Sequence, residues 1–220
     1  MSKNRKALTL FDDYYEMMSD QQRMAAFDEA IRRVVRAGDT VIDLGAGLGI
    51  LSFLALRAGA SHVFAIEKGD SIDLMKKVAE VNGLTEQITF IRENSKQVTL
   101  PNVADVLLSE TLGSFGVDEN TLEFTIDARR RLLRADGKLL PSRLRLFVTP
   151  VQYPEAGKRA NFWKHLHGFD YGPALDEIRA KMSLMKLDES QVLSEPQLFA
   201  AINLATVESS TLRNEHRFVI

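Results

Sequence analysis

Glu110 and Glu119 stand nine positions apart in the stretch SETLGSFGVDEN, residues 109–120, with Gly113 and Gly116 between them. Two carboxylates acting together form a holder for a positively charged group. Nine residues of one α-helix would leave the two side chains about half a turn apart, and an odd separation along a strand puts them on opposite faces. Cooperation therefore requires the chain to fold back, which the two glycines permit. The alternative is that Glu110 merely ends a strand while Asp118-Glu119 caps the next helix and complements its dipole.

A second constellation lies upstream, in VIDLGAGLGILS, residues 41–52. Asp43 is followed by Gly45, Gly47 and Gly49 where an apolar strand gives way to a helix. In an open α/β sheet, ligands dock at the carboxyl ends of strands. The spacing G-x-G-x-G, with Ile50 where a dinucleotide fingerprint needs glycine, excludes that fingerprint, and the absence of a following Gly-Lys-Ser/Thr excludes a phosphate loop. The next strand ends in Glu67, 22 positions after Gly45. A carboxylate there can accept hydrogen bonds from both hydroxyls of a ribose.

These groups need elements to position them. Residues 20–36 read as a helix with Met24, Phe27, Ile31, Val34 and Val35 on one face. TVIDL (40–44), HVFAIE (62–67), QITFIR (87–92) and ADVLLSE (104–110) read as strands, with helices at about 50–57, 71–83 and 120–134. That alternation predicts an α/β fold, a parallel sheet with helices on both faces. DGKLLP then reads as a turn into the strand SRLRLFVTPV. Beyond about residue 150 the rhythm fades. An amphipathic helix is expected at 173–185, and LFAAINLATVES and HRFVI read as strands. The apolar end suggests a chain that stops partway through a second, β-rich domain. The expected organisation is an N-terminal helical segment (1–36), a central α/β domain (37–141) and a partial β-domain (142–220).

Composition narrows the function classes. With no cysteine there are no disulfides, thiolate nucleophiles or cysteine-held zinc. His165 and His167 flank one leucine without a third ligand nearby, so no metal site is expected. At net charge −2 no basic field recruits nucleic acid or an anionic membrane. The first twenty residues lack an apolar signal core, and no apolar run reaches about 18 residues. A cytoplasmic location is therefore expected, with neither nucleic acid nor membrane as partner.

An acid before G-x-G-x-G, with a second acid ending the next strand, resembles the class I S-adenosylmethionine-dependent methyltransferases, whose fold is Rossmann-like. Three further stretches resemble the protein arginine N-methyltransferases. They are EMMSDQQR (16–23), the double-glutamate loop, and FWKHLHGFDY (162–171) followed by EPQLF (195–199), which resembles the lead into that family's β-barrel. The resemblance implies methyl transfer from S-adenosylmethionine, leaving S-adenosylhomocysteine, to a guanidino nitrogen of a protein or peptide arginine. It implies that Glu110 and Glu119 orient the guanidinium and that Arg23 meets the cofactor's carboxylate. Asp43, Gly45, Gly47, Gly49 and Glu67 would form the cofactor site. Met17 falls where the family's methionine packs beside the reacting nitrogen, and Tyr14 where many members carry histidine.

This chain departs from the family in three places. Thr111-Leu112-Gly113-Ser114 replaces the usual Trp-Met-Gly-Tyr, a Leu-Gly-Ser form being known from the branch that makes symmetric dimethylarginine. Ser95 and Lys96 stand near the glutamate that usually meets the adenine amino group, leaving Ser95 or backbone groups for that task. The Thr-His-Trp segment that helps close the pocket is not found. The smaller loop residues leave open a small cationic acceptor, or a scaffold that binds cofactor without turnover. A homodimer through the 174–186 helix is the other expectation drawn from the resemblance.

Overall fold

The computed structural model describes residues 12–113, 115–164, 166–174 and 187–219. The runs of β-branched and apolar residues form five strands: β1 (Thr40–Leu44), β2 (His62–Ile66), β3 (Ile88–Ile91), β4 (Ala104–Ser109) and β5 (Leu133–Leu140). All pair in parallel, in the spatial order β3-β2-β1-β4-β5. The order reverses between β1 and β4, and a crevice opens where their carboxyl ends diverge. The glycine turn leaves β1 and the glutamate loop leaves β4 at that point.

Alternate residues of each strand face opposite layers. Val41, Val63, Val106 and Leu108 pack beneath α2 (Gln21–Val34), α3 (Ile50–Arg57) and α4 (Ser71–Val81). Ile42, Leu44, Phe64 and Leu107 pack against Leu122 and Ile126 of α5 (Thr121–Arg131). Burying each such side chain contributes about 1.5–3 kcal/mol. A short helix, α1, covers 12–19, and Asp20 then caps α2 by accepting from the Arg23 backbone N–H at 3.0 Å. That cap fixes Arg23 in the first turn of α2.

Beyond the parallel sheet, β6 (Arg143–Val148) and β7 (Gln197–Asn203) form an antiparallel pair, with α6 (Pro154–Lys164) between them in sequence. Leu146, Ile202 and Leu204 are buried in the same cluster as Leu107 and Leu122, so the second sheet shares the first sheet's core. Among the described residues no helix is long and apolar enough to cross a membrane.

Four features differ from the sequence reading. The helix expected to reach 134 ends at Arg131, and the Asp-Gly pair taken as a turn lies inside β5. Pairing with β4 accounts for both: Ala104 opposes Leu133 but Val106 opposes Lys138, so a bulge absorbs the turn-forming residues while Leu133 and Leu139 stay buried. Arg131 closes α5 by donating to the carbonyls of Val98 and Ser95. At the other end of the chain, residues 216–219 form no strand. Side chains take the place of a ladder there: Gln197 donates to the Arg217 carbonyl, and Asn214 to that of Phe199. The α6 helix was not anticipated. The expected helix and dimer contact at 174–186 fall on residues outside those described, apart from Ala174.

Candidate functional site

Gly45, Gly47 and Gly49 all take positive φ, at 76°, 54° and 86°. The N–H groups of Gly45 and Ala46 both donate to the Ile66 carbonyl, which pins the turn to the end of β2. Glu67, one residue further, receives the Gly47 N–H on Oε2 at 3.1 Å and the Gly69 N–H on Oε1 at 2.6 Å. Each oxygen keeps a second acceptor direction free, so the carboxylate that ties the two turns together can still take two hydroxyls. Gly49 has a different task. It precedes α3, and a Cβ there would fall 2.6 Å from Met75 atoms, so packing and positive φ require it rather than a ligand.

Asp43 is almost wholly buried, and its Oδ2 accepts both the backbone N–H and the hydroxyl of Ser52 in α3. Burial pushes its carboxyl up to about 6 and the nearby Glu67 charge adds to this, while the Ser52 bonds oppose it. A carboxyl raised in the folded state favours folding at low pH, and that contribution is lost as pH rises through the folded value. Between pH 4 and pH 7 this group alone should cost wild type roughly 2 kcal/mol. Urea melts of Asp43→Asn across that range are expected to lack this slope. A variant with the wild-type slope would refute the assignment.

The glutamate loop does fold back. Gly113, Gly116 and Asn120 take φ of 63°, 85° and 60°, and Asp118 accepts the Phe115 N–H at 2.7 Å across the bend. Glu110 and Glu119 consequently face one cleft of about 810 Å³, together with Tyr14, Met17, Arg23, Asp43, Gly45, Gly47, Glu67 and Ser95. Gly49 is absent from its wall. Glu110 is pushed above the ordinary carboxylate value, first by burial and also by Glu119, against the lowering effects of Arg23 and the Leu112 N–H. Arg23 reaches it directly, with Nη2 at 2.7 Å from Oε2. The resemblance assigned Arg23 to a cofactor carboxylate; in this structure its guanidinium is paired with Glu110.

Ser95, itself buried, lines the same cleft, as do Glu93, Asn94 and Phe124. Lys96 turns away to pair with Glu123 and lies over the Phe124 ring at 5.4 Å. Tyr14, on α1, stands above the glycine turn, its hydroxyl 2.8 Å from where a Cβ on Gly47 would sit. Sequence reasoning did not single out Phe124, Ser109 or Thr121, and it marked Thr111 only for its small size, not for its hydroxyl. The last three are hydroxyl residues whose significance depends on which backbone groups surround them. Among the described residues no cluster of His, Asp or Glu could hold a metal ion.

The family model for ribosomal protein L11 methyltransferase matches residues 26–115, from α2 through the first half of the glutamate loop. A ribosomal protein arginine N-methyltransferase of Schizosaccharomyces pombe is 31% identical over 199 residues, covering 89% of this chain and 37% of its own. This chain is a relative of the protein arginine N-methyltransferases. The crystal structure of PRMT6 with SAH superimposes with a TM-score of 0.67 at 28% identity, covering 89% of this chain and 67% of the other. A Trypanosoma brucei PRMT1 enzyme-prozyme complex with AdoHcy gives a TM-score of 0.80 at 24% identity, over 90% and 63%, and that likeness concerns the fold. The architecture is that of a class I methyltransferase with a smaller antiparallel sheet attached. The chain spans about half the length of the curated arginine methyltransferases it matches.

Proposed function

We propose that this chain binds S-adenosylmethionine in the cleft between β1 and β4 and methylates a guanidino nitrogen of arginine in a protein or peptide. The observation that carries the proposal is the Arg23–Glu110 pair: the carboxylate expected to receive a substrate guanidinium already holds one. The cofactor fits the residues present. Glu67 offers two free acceptor directions for ribose hydroxyls, the glycine turn lets backbone approach, and Ser95 on the wall of the same cleft is available to the adenine. The cofactor supplies an electrophilic methyl on a sulfonium sulfur and leaves as S-adenosylhomocysteine.

The chain's own residues must make a poor nucleophile react. Arginine stays protonated at neutral pH, with its lone pairs delocalised. Glu110 and Glu119, both on the wall of this cleft, would orient its plane and draw positive charge away from the attacking nitrogen. Their mutual repulsion is relieved by the bound cation. Alignment of nitrogen and methyl would supply much of the acceleration.

The test is incubation of the chain with labelled S-adenosylmethionine and an arginine-rich peptide, with a lysine-substituted peptide as control. Methylarginine in the acid hydrolysate of the first peptide alone is expected. Turnover only with small cationic acceptors would replace the substrate class, and cofactor binding without any turnover would reduce the protein to a scaffold.

A further inference from the structure

The glutamate loop is fastened to the glycine turn by side-chain hydroxyls. Ser109, the last residue of β4, donates to the carbonyl of Leu44, the residue before Gly45, at 3.2 Å. Its one proton being used there, Ser109 Oγ must accept from Thr111, whose hydroxyl lies 3.1 Å away. Thr121, at the start of α5 and two residues after Glu119, donates its hydroxyl to the Thr111 carbonyl. The three residues form one chain of bonds from the donor turn, past Glu110, to the Glu119 end of the loop, the last link being made by the Thr111 backbone carbonyl rather than its hydroxyl. Ser109 and Thr121 are buried, so these bonds compete little with water.

Thr111 is the centre of this chain and touches the turn a second time. A Cβ built on Gly45 would lie only 2.6 Å from its methyl group. The hydroxyl and the methyl of one β-branched side chain thus face the strand end and the glycine turn together. Thr111 stands where the related family commonly carries tryptophan, which has no hydroxyl to offer Ser109.

We propose that Thr111 is a positioning residue that, by its hydroxyl on Ser109 and its backbone carbonyl under Thr121, sets the placement of both acceptor carboxylates against the methyl-donor turn. It acts through Glu110 and Glu119 and rests on the functional reading above. Its loss misplaces the acceptor without removing the cofactor site.

Valine and serine at position 111 separate the two halves of the side chain. Thr111→Val keeps the methyl and the shape but cannot donate. It is expected to lower kcat on an arginine-rich peptide by about 10-fold or more, since small misplacements of reacting groups are costly. Its affinity for S-adenosylhomocysteine should stay within about 3-fold of wild type, because the linkage lies outside the proposed cofactor contacts. Thr111→Ser keeps the hydroxyl and should recover kcat to within about 3-fold of wild type. Wild-type kcat in Thr111→Val would overturn the proposal, as would a serine variant no better than valine.

Amide hydrogen exchange is read alongside on the same proteins. The Leu112 N–H, which donates to Glu110, should exchange faster in Thr111→Val but not in Thr111→Ser, while β1 keeps its protection. Unchanged exchange at Leu112 would overturn the clamp. Were wild type itself inactive on arginine peptides, the substrate assignment would fall while the exchange result still decided the role of Thr111.

Discussion

Glu110→Gln is expected to lower kcat/KM for arginine-peptide methylation by about 100-fold or more, the loss typical of removing one preorganised charge partner from a reacting group. Glutamine matches the shape of glutamate, so the loop should keep its bend, and affinity for S-adenosylhomocysteine should change only a few-fold. The loss should fall mainly on kcat, since Glu119 still draws the cation into the cleft. The pH profile carries a second signature. Glu110 must be ionised to hold a guanidinium, and burial together with Glu119 raises its carboxyl above the usual value. The acid limb of the wild-type rate should therefore lie above the pH of an ordinary glutamate. In Glu119→Gln, with one raising influence removed, that limb should move to lower pH. Activity within about 5-fold of wild type in Glu110→Gln would sink the two-carboxylate reading.

Glu67→Ala should weaken S-adenosylhomocysteine binding by about 100-fold or more, measured by calorimetry. The change removes the proposed acceptor for both ribose hydroxyls. It also strips a partner from the Gly47 and Gly69 N–H groups, each left wanting by about 1–3 kcal/mol where water cannot reach. Binding and stability should fall together in this variant. Glu67→Gln is the informative partner, because its amide keeps one accepting oxygen and turns the other acceptor into a donor. It should hold one turn in place and bind with intermediate affinity. An alanine variant that binds within about 3-fold of wild type would remove Glu67 from the cofactor site.

Most of the parallel sheet was legible because its signals are local. Four apolar runs of strand length, three of them followed by a helix-period segment, leave few alternatives. The glycine turn was equally plain, since three glycines at a strand end state a backbone requirement that other residues meet poorly. The fifth strand was hidden by its own residues: Asp136-Gly137 is a turn signal, and only pairing with β4 makes it a bulge. HRFVI shows the converse, with strand-forming residues whose backbone partners are taken by Gln197 and Asn214.

At the site, the sequence named Glu110, Glu119 and Glu67 from residue type and position, and the structure faces all three into one cleft. It could not show that Arg23 would rest on Glu110, because the two residues are 87 positions apart in the chain and meet only when α2 lies over the end of β4. It marked Thr111 only as a small residue in place of a bulky one and gave no hint of its bonds with Ser109 and Thr121, since the partner of each is a backbone carbonyl or a neighbouring hydroxyl. Gly49 looked like its two companions, and the sequence did not show that it also packs on Met75.

Arg129 of α5 donates to the carbonyls of Leu204 and Val207 just after β7 and pairs with Glu208, as Arg130 does. With Leu146, Ile202 and Leu204 sunk in the common core, this staple makes the order of the chain a poor guide to its mechanical units. A peptide bond cut between β6 and β7 would not release a free half, since the severed β7 piece would stay riveted to α5. The smaller sheet therefore behaves as a fixed wall for the glutamate loop, through Leu146 against Gly116 and Phe199 against Phe115, rather than as a door swinging on a linker.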